Sequence, residues 1–367
     1  MQDDCLVRDR SRPDAAGASA VPPLGYGAAA DPNSTADRGT GEQLPSIPDV
    51  ALEFRPGADP RDLIVVFSPS RRFILYRHAF SSDALYVSDR KGFYYLPVAR
   101  KLARALVELI DRRGYERVLF LGTSKGGFGA LLLTRLCARM RPRRIFRALA
   151  FSPQVRLHPL NADLYFPSYR RLRRVARAKF AMAAALRLHG DVTRVADASN
   201  VYATVVFATE NATDLAEADR LGGRNLRKIR VAGSSHGSIL YFVLQDHSES
   251  YVRSRIARIY ARARRRGQDQ DQDLFASRPK DPERFLREIM LASSYLPSLE
   301  GLLEQAFAAA PSKLSPGERL AASLRRLRQI AGGAWRGFGR QPTTDRRAAA
   351  EPPLTRKKSA AGRIAKS

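Results

Sequence analysis

Arg117-Val118-Leu119-Phe120-Leu121-Gly122-Thr123-Ser124-Lys125-Gly126-Gly127 runs an apolar strand straight into a glycine-rich turn, and an Ala/Leu-rich helical stretch from about Phe128 to Ala138 follows. Strand, tight turn and helix in that order fit the pattern G-x-S-x-G. The spacing has a steric cause. The turn is strained and the backbone passes close to itself, so side chains two residues either side of the serine would meet the strand or the helix. A serine held this way has its hydroxyl lifted out at the carboxyl end of a sheet. The same residues argue against a phosphate cradle. Walker A needs four residues between its first glycine and Gly-Lys-Ser/Thr, and G-x-G-x-x-G fails because Thr123 and Ser124 separate Gly122 from Lys125.

The alternation extends outward from this turn. Upstream, Val50 to Phe54 reads as a short strand ending at Pro56-Gly57, Leu63 to Phe67 as a run of the kind buried in a parallel sheet, and Ala84 to Ser88 as a weaker strand. Val98, Leu102, Leu106 and Leu109 mark an amphipathic helix from Pro97 to Asp111. Downstream come strands at Phe146 to Phe151, Tyr202 to Ala208 and Leu226 to Val231, with a helix near Leu215 to Leu221. The pattern predicts an α/β fold, a mostly parallel sheet with helices on both faces. Residues 48–250 are the expected domain, interrupted by a cap insertion at about 157–199. Residues 251–335 read as a basic helical extension: Val252, Ile256 and Ile259 on one helix, Phe285 to Ala308 interrupted by Pro297, and a third opened by Ser315-Pro316-Gly317-Glu318. Residues 1–47 and the basic stretch 336–367 read as disordered.

At 367 residues and 44% hydrophobic, the chain has material for one sizeable core. Cys5 and Cys137 are its only cysteines, so no disulfide framework is expected. The start, Met1-Gln2-Asp3-Asp4-Cys5, is polar and acidic where a secretory signal is basic and then apolar, and no apolar run approaches bilayer length. The expected location is cytoplasmic, or peripheral to a membrane. The net charge of +27, carried almost entirely by arginine, attracts polyanions and anionic surfaces. Arginine-rich proteomes give equally basic proteins with no such partner. No nucleic-acid-binding module accompanies the charge, so specific nucleic-acid binding is not expected.

On these residues the stretch from Val50 to Val243 resembles the α/β-hydrolase superfamily, whose members order nucleophile, acid and histidine along the chain. The resemblance makes Ser124 the nucleophile. It places the acid after the strand ending at Ala208, where Asp214 is the first choice, Glu210 the alternative and Asp219 a more distant one. It places the base at His236, in Gly233-Ser234-Ser235-His236-Gly237. His78, His158, His189 and His247 do not follow a late strand. Each role has a chemical reason. A serine hydroxyl is a poor nucleophile until a base takes its proton, and a carboxylate behind the imidazole fixes the tautomer. The resemblance implies oxyanion donors at the Lys125 N–H and in Ser68-Pro69-Ser70, where Pro69 has no N–H and Ser68 or Ser70 must supply it. Two departures stand out: the early loop lacks the usual His-Gly pair, and the first strands are not found before Val50. No cofactor or metal is implied.

Within the insertion, Leu172, Val175, Ala176, Phe180 and Ala183 lie at helical spacing among arginines, as a cap over a pocket or as a recruiter of anionic substrate or membrane. The residues around Ser124 also resemble a bacterial branch tied to surface polysaccharide or glycoprotein production. That implies a de-O-acetylase, an O-acyltransferase or an accessory factor acting on a glycan. The leading expectation is therefore a serine esterase or acyltransferase on a small-molecule or glycan ester. The rival is a non-catalytic accessory protein that binds partners through the helices after Tyr251. On the first reading those helices are dispensable for chemistry.

Overall fold

Successive side chains of one central strand point to opposite sides and are buried on both. In β2 (Asp59–Ser68), Leu63, Val65 and Phe67 join one apolar cluster while Ile64 and Val66 join another. The computed structural model describes residues 44–265 and 281–310. Most of the expected leader, the third helix of the extension and the stretch 336–367 lie outside those residues.

Seven strands form the sheet, in the spatial order β1 (Val50–Arg55), β3 (Ser82–Asp89), β2, β4 (Arg117–Thr123), β5 (Phe146–Phe151), β6 (Val201–Ala208) and β7 (Leu226–Val231). β1 is antiparallel to β3, and every other neighbouring pair is parallel. One face is covered by α1 (Ala99–Arg113), α2 (Lys125–Met140) and the insertion helices α3 (Pro167–Ala178) and α4 (Phe180–His189), all packed in the cluster that holds Phe67. α5 (Ala212–Arg220) follows β6. The other face carries α6 (Ile239–Leu244), α7 (Glu249–Arg265), α8 (Pro282–Ala292) and α9 (Leu299–Ala308), which share a cluster with Ile64, Val66, Leu119 and Leu121.

One difference from expectation has a local cause. The helix expected from Phe128 begins at Lys125, because the turn reverses the chain within one residue and the glycines already lie in the helix. The stretch from Phe285 to Ala308 is broken around Pro297 as its sequence indicates: the first helix ends at Ala292, and the Ser298 hydroxyl caps the second by accepting the Gly301 N–H at 3.0 Å.

The helices after Tyr251 form one layer of the core. Val252, Ile256, Phe285, Ile289 and Leu302 are all buried against the sheet. Each apolar side chain so buried contributes about 1.5–3 kcal/mol of transfer free energy. Removing this layer uncovers apolar side chains on that face of the sheet.

Candidate active site

This strand order, with its antiparallel first strand, is the α/β-hydrolase fold, and such a sheet presents its polar loops at the carboxyl ends of the parallel strands. Ser124 sits there, between β4 and α2, with φ 54° and ψ −118°. A non-glycine residue at positive φ is strained and persists only where its surroundings hold it. Here the Ser124 N–H is held by the Phe151 carbonyl at 2.8 Å, and the Ser124 carbonyl accepts the Phe128 N–H at 3.0 Å to start α2. The flanking glycines are sterically required. A Cβ on Gly122 would lie 2.2 Å from the Gly126 carbonyl oxygen, and one on Gly126 would lie 2.1 Å from that of Phe67.

Ser124 Oγ lies 2.8 Å from His236 Nε2, and His236 Nδ1 lies 2.5 Å from Asp214 Oδ1. All three residues are buried. With Nδ1–H donated to the carboxylate, Nε2 is the ring's acceptor and faces the serine hydroxyl. Asp214 is placed by its helix. Asn211 caps α5, its Oδ1 accepting the Asp214 N–H at 3.1 Å, so the carboxylate sits in the first turn where the helix dipole favours negative charge. Its second oxygen accepts Ser152 Oγ–H at 2.5 Å. Glu210, the alternative acid, is elsewhere: it pairs with Arg284 on the surface and makes no bond to His236.

The histidine loop is held by the far end of the chain. The Glu288 carboxylate on α8 accepts the Ser234 N–H at 3.0 Å, the Ser234 hydroxyl at 2.7 Å and the Tyr241 hydroxyl at 2.7 Å. Tyr241 oxygen in turn accepts the Ser235 N–H at 3.3 Å. Ser234 and Tyr241, on either side of His236 in the chain, are thereby fixed by a single buried carboxylate. Phe166, at the start of the cap, lays its ring 4.6 Å from the His236 ring.

A second network reaches the serine from the opposite side. Gln154, fully buried in the loop after β5, donates Nε2–H to Ser124 Oγ at 3.1 Å. Its Oε1 accepts the Tyr94 hydroxyl at 2.5 Å, and Tyr94 oxygen lies 2.9 Å from Ser168 Oγ on α3. Because Tyr94 occupies the amide oxygen, it is the amide nitrogen that faces Ser124. Tyr94 and Tyr95 both have positive φ, at 59° and 62°. Asp89 enforces that loop shape by accepting the N–H groups of Lys91, Gly92, Phe93 and Tyr95. Burial pushes its carboxyl above the usual range, and the four N–H groups oppose the shift. Tyr95 hydroxyl then binds the Ser68 carbonyl at 2.6 Å, tying the same loop to the end of β2.

Of the three oxyanion positions, Lys125 opens α2, where a first-turn N–H has no partner within the helix. Ser68 is the last paired residue of β2, with its Oγ accepting the Ile74 N–H. Ser70 lies just beyond, its carbonyl held by the Ser88 hydroxyl. An apolar cavity of about 80 Å³ is lined by Pro69, Ile74, Thr123, Gly237, Leu240 and Val243 among others. Thr123 and Gly237 are the immediate neighbours of Ser124 and His236.

Sequence reasoning missed Gln154, Ser152 and Glu288. The first two carried a signal, as polar residues in Ser152-Pro153-Gln154 at the carboxyl end of the strand beside the elbow strand. Glu288 carried none, since its contact depends on how α8 docks.

No protein-family model matches the chain, and no curated protein matches its sequence. Among solved structures it is similar to the capsule O-acetyltransferase of Neisseria meningitidis serogroup A, at 14% identity over 56% of this chain and 93% of that one, with a TM-score of 0.36. An α/β-hydrolase enzyme from the metagenome of Mar Chica lagoon sediments aligns at 15% identity over 62% of this chain and 100% of that one, with a TM-score of 0.33. Carboxyl esterase 2 of Tuber melanosporum aligns at 18% identity over 50% and 71%, with a TM-score of 0.35. At such scores the likenesses carry no weight for function, which rests on the atoms of the site.

Proposed function

We propose that the chain is a serine esterase or acyltransferase that works through an acyl-enzyme on Ser124, with His236 as base and Asp214 as its orienting carboxylate. The observation that carries the reading is the continuous line Ser124 Oγ, His236 Nε2, His236 Nδ1, Asp214 Oδ1, at 2.8 and 2.5 Å, on a strained elbow. Strain of this kind costs about 1–3 kcal/mol and is retained where a function needs it.

In the first half-reaction Ser124 Oγ attacks the ester carbonyl carbon and its proton passes to His236 Nε2. Asp214 stabilises the imidazolium without itself taking the proton. The carbonyl oxygen becomes an oxyanion, received by the Lys125 N–H and by the Ser68 or Ser70 N–H. Collapse breaks the bond to the leaving alcohol, which takes the proton back from His236, and leaves the acyl group on Ser124. In the second half, water or an acceptor hydroxyl gives its proton to His236 and attacks the acyl carbon, and Ser124 Oγ departs. Gln154 acts on both steps: its N–H bond to Oγ strengthens whenever that oxygen carries charge, in attack and again in departure. The cavity beside Thr123 and Gly237 receives the acyl chain, and its apolar lining suits a short alkyl group. The glycan O-acyl group implied by the residues around Ser124 is the substrate class we propose.

A serine-directed fluorophosphonate tests the reading. The intact protein should label, mass spectrometry should place the adduct on Ser124, and Ser124→Ala should lose both labelling and turnover of small aryl esters. Protein that neither labels nor hydrolyses such esters would remove the proposal and favour the accessory role.

A further inference from the structure

We infer that the insertion helices α3 and α4 form a docking face for an anionic lipid bilayer. The segment Pro167–His189 contains six arginines and one lysine and no carboxylate. Arg170, Arg171, Arg174 and Arg177 are exposed, and among the described residues none of them is in an ion pair. Arg253 on α7, by contrast, is shared between Glu249 and Glu283, Arg284 between Glu288 and Glu210, and Arg220 between Glu217 and Asp163. With no carboxylate in the segment beside them, these four guanidinium groups form a cationic face suited to an external anion.

Charge alone would suit any polyanion. The apolar side chains beside it decide between them. α3 ends at Ala178, Lys179 is extended, and α4 starts at Phe180, so the corner between the helices projects a phenyl ring that is 86% exposed. Leu188 at the end of α4 and Leu160 before α3 are 56% and 57% exposed. Phe180 alone could stack on a base or a sugar ring, but the aliphatic Leu160 and Leu188 offer neither of them a stacking face, whereas a bilayer interface takes up all three side chains while its headgroups pair with the flanking arginines. No described helix is long and apolar enough to cross a membrane, so the contact is peripheral.

The face is connected to the chemistry. Ser168 of α3 bonds to Tyr94, which holds Gln154 against Ser124, and Phe166 packs on His236. A protein docked by α3 and α4 brings the serine site next to the interface, where an amphiphilic acyl donor would be held.

The test is cosedimentation of the full-length protein with phosphatidylcholine vesicles, with and without phosphatidylglycerol, in dilute and in high salt. Binding is the readout, so the outcome stands apart from ester turnover. Binding should require phosphatidylglycerol and weaken with salt. Each arginine near an anionic surface is worth about fivefold in partitioning, so the combined change of Arg170, Arg171, Arg174 and Arg177 to glutamine should lower it by two orders of magnitude or more. Phe180→Ser should lower it about tenfold or more, with thermal unfolding little changed because the side chain is 86% exposed. Equal binding to neutral and anionic vesicles, no binding to either, or anionic binding that survives both sets of changes would overturn the inference. Loss of vesicle binding to a competing oligonucleotide with no dependence on Phe180 would do so too, and would assign the face to a polyanion.

Discussion

Gln154→Leu removes one hydrogen bond from the nucleophile while keeping the side chain's bulk, and its effect can be sized in advance. In the resting state the Gln154 N–H donates at 3.1 Å to a neutral hydroxyl, a bond worth a net contribution of about 1 kcal/mol. As the proton leaves and Oγ takes on charge, the same bond becomes charge-assisted and is worth about 2–3 kcal/mol. Only the difference accelerates reaction, about 1–2 kcal/mol, or a loss of roughly 5- to 30-fold in kcat/KM for an aryl ester. The lost turnover should persist in single-turnover deacylation, because Oγ carries charge again as it departs. Tyr94→Phe keeps the amide nitrogen but frees its oxygen, so its effect should be smaller. The pH at which activity half-falls on the acid side should not move, since the His236–Asp214 pair is untouched. If Gln154→Leu hydrolyses within twofold of the parent protein while folding normally, the amide is packing and the argument fails. A shifted acid limb would mean that the substitution had disturbed His236 instead.

Other consequences follow from the same geometry. Glu288→Ala strands the buried Tyr241 hydroxyl and the part-buried Ser234 donors, takes one partner from Arg284, and should lower stability by about 2–3 kcal/mol, with kcat falling more than KM rises; chemical denaturation and steady-state kinetics read the two effects. Leu240→Trp fills the cavity beside Gly237 and should cost turnover of butyrate and hexanoate esters at least tenfold more than that of acetate, and an unchanged preference would place the acyl chain elsewhere. Burial, with the nearby Arg135, Arg100 and Arg139, pushes His189 down to about 4 from its ordinary 6.5. The unfolded chain therefore takes up a proton below pH 6.5 that the folded chain refuses, and stability falls between pH 6.5 and 4 and no further from this group below that. Between pH 6.5 and 5 the loss is on the order of 1 kcal/mol, and His189→Gln should flatten that part of the profile in urea titrations.

Much of this arrangement was legible in the sequence because its causes are local. The buried run Leu63 to Phe67 had to lie between two apolar layers, and the turn at Ser124 leaves no room for a side chain at positions 122 and 126. Strand and helix periods then gave the order of elements, and the late position of His236 after β7 followed from chain order alone. The acid was harder, because Glu210 and Asp214 are close in sequence. What separates them is the cap: Asn211 binds the Asp214 N–H and starts the helix there, turning Asp214 inward and leaving Glu210 before the helix, facing Arg284. An asparagine three residues ahead of a carboxylate was a readable signal for which of the two would sit in the first turn.

What stayed hidden is what depends on docking between distant segments. Glu288 is 54 positions after Ser234, and no periodicity links them. Gln154 and Tyr94 are 60 positions apart and meet because α2 and the loops after β3 and β5 crowd the same strand ends. These contacts change what the region after Tyr251 is for. A helix that supplies both the cover for Ile64 and Val66 and the carboxylate that shapes the His236 loop belongs to the catalytic fold, whatever else it binds. A chain ending at Tyr251 would lose ester turnover along with any partner binding, so truncation there cannot separate an enzyme from an accessory protein. The two readings come apart at Ser124 Oγ: an accessory protein has no use for the proton path from Ser124 to Asp214, and Ser124→Ala leaves its surfaces intact. A loss confined to turnover and labelling, with partner capture unchanged, is what an enzyme predicts, and no truncation can supply that distinction.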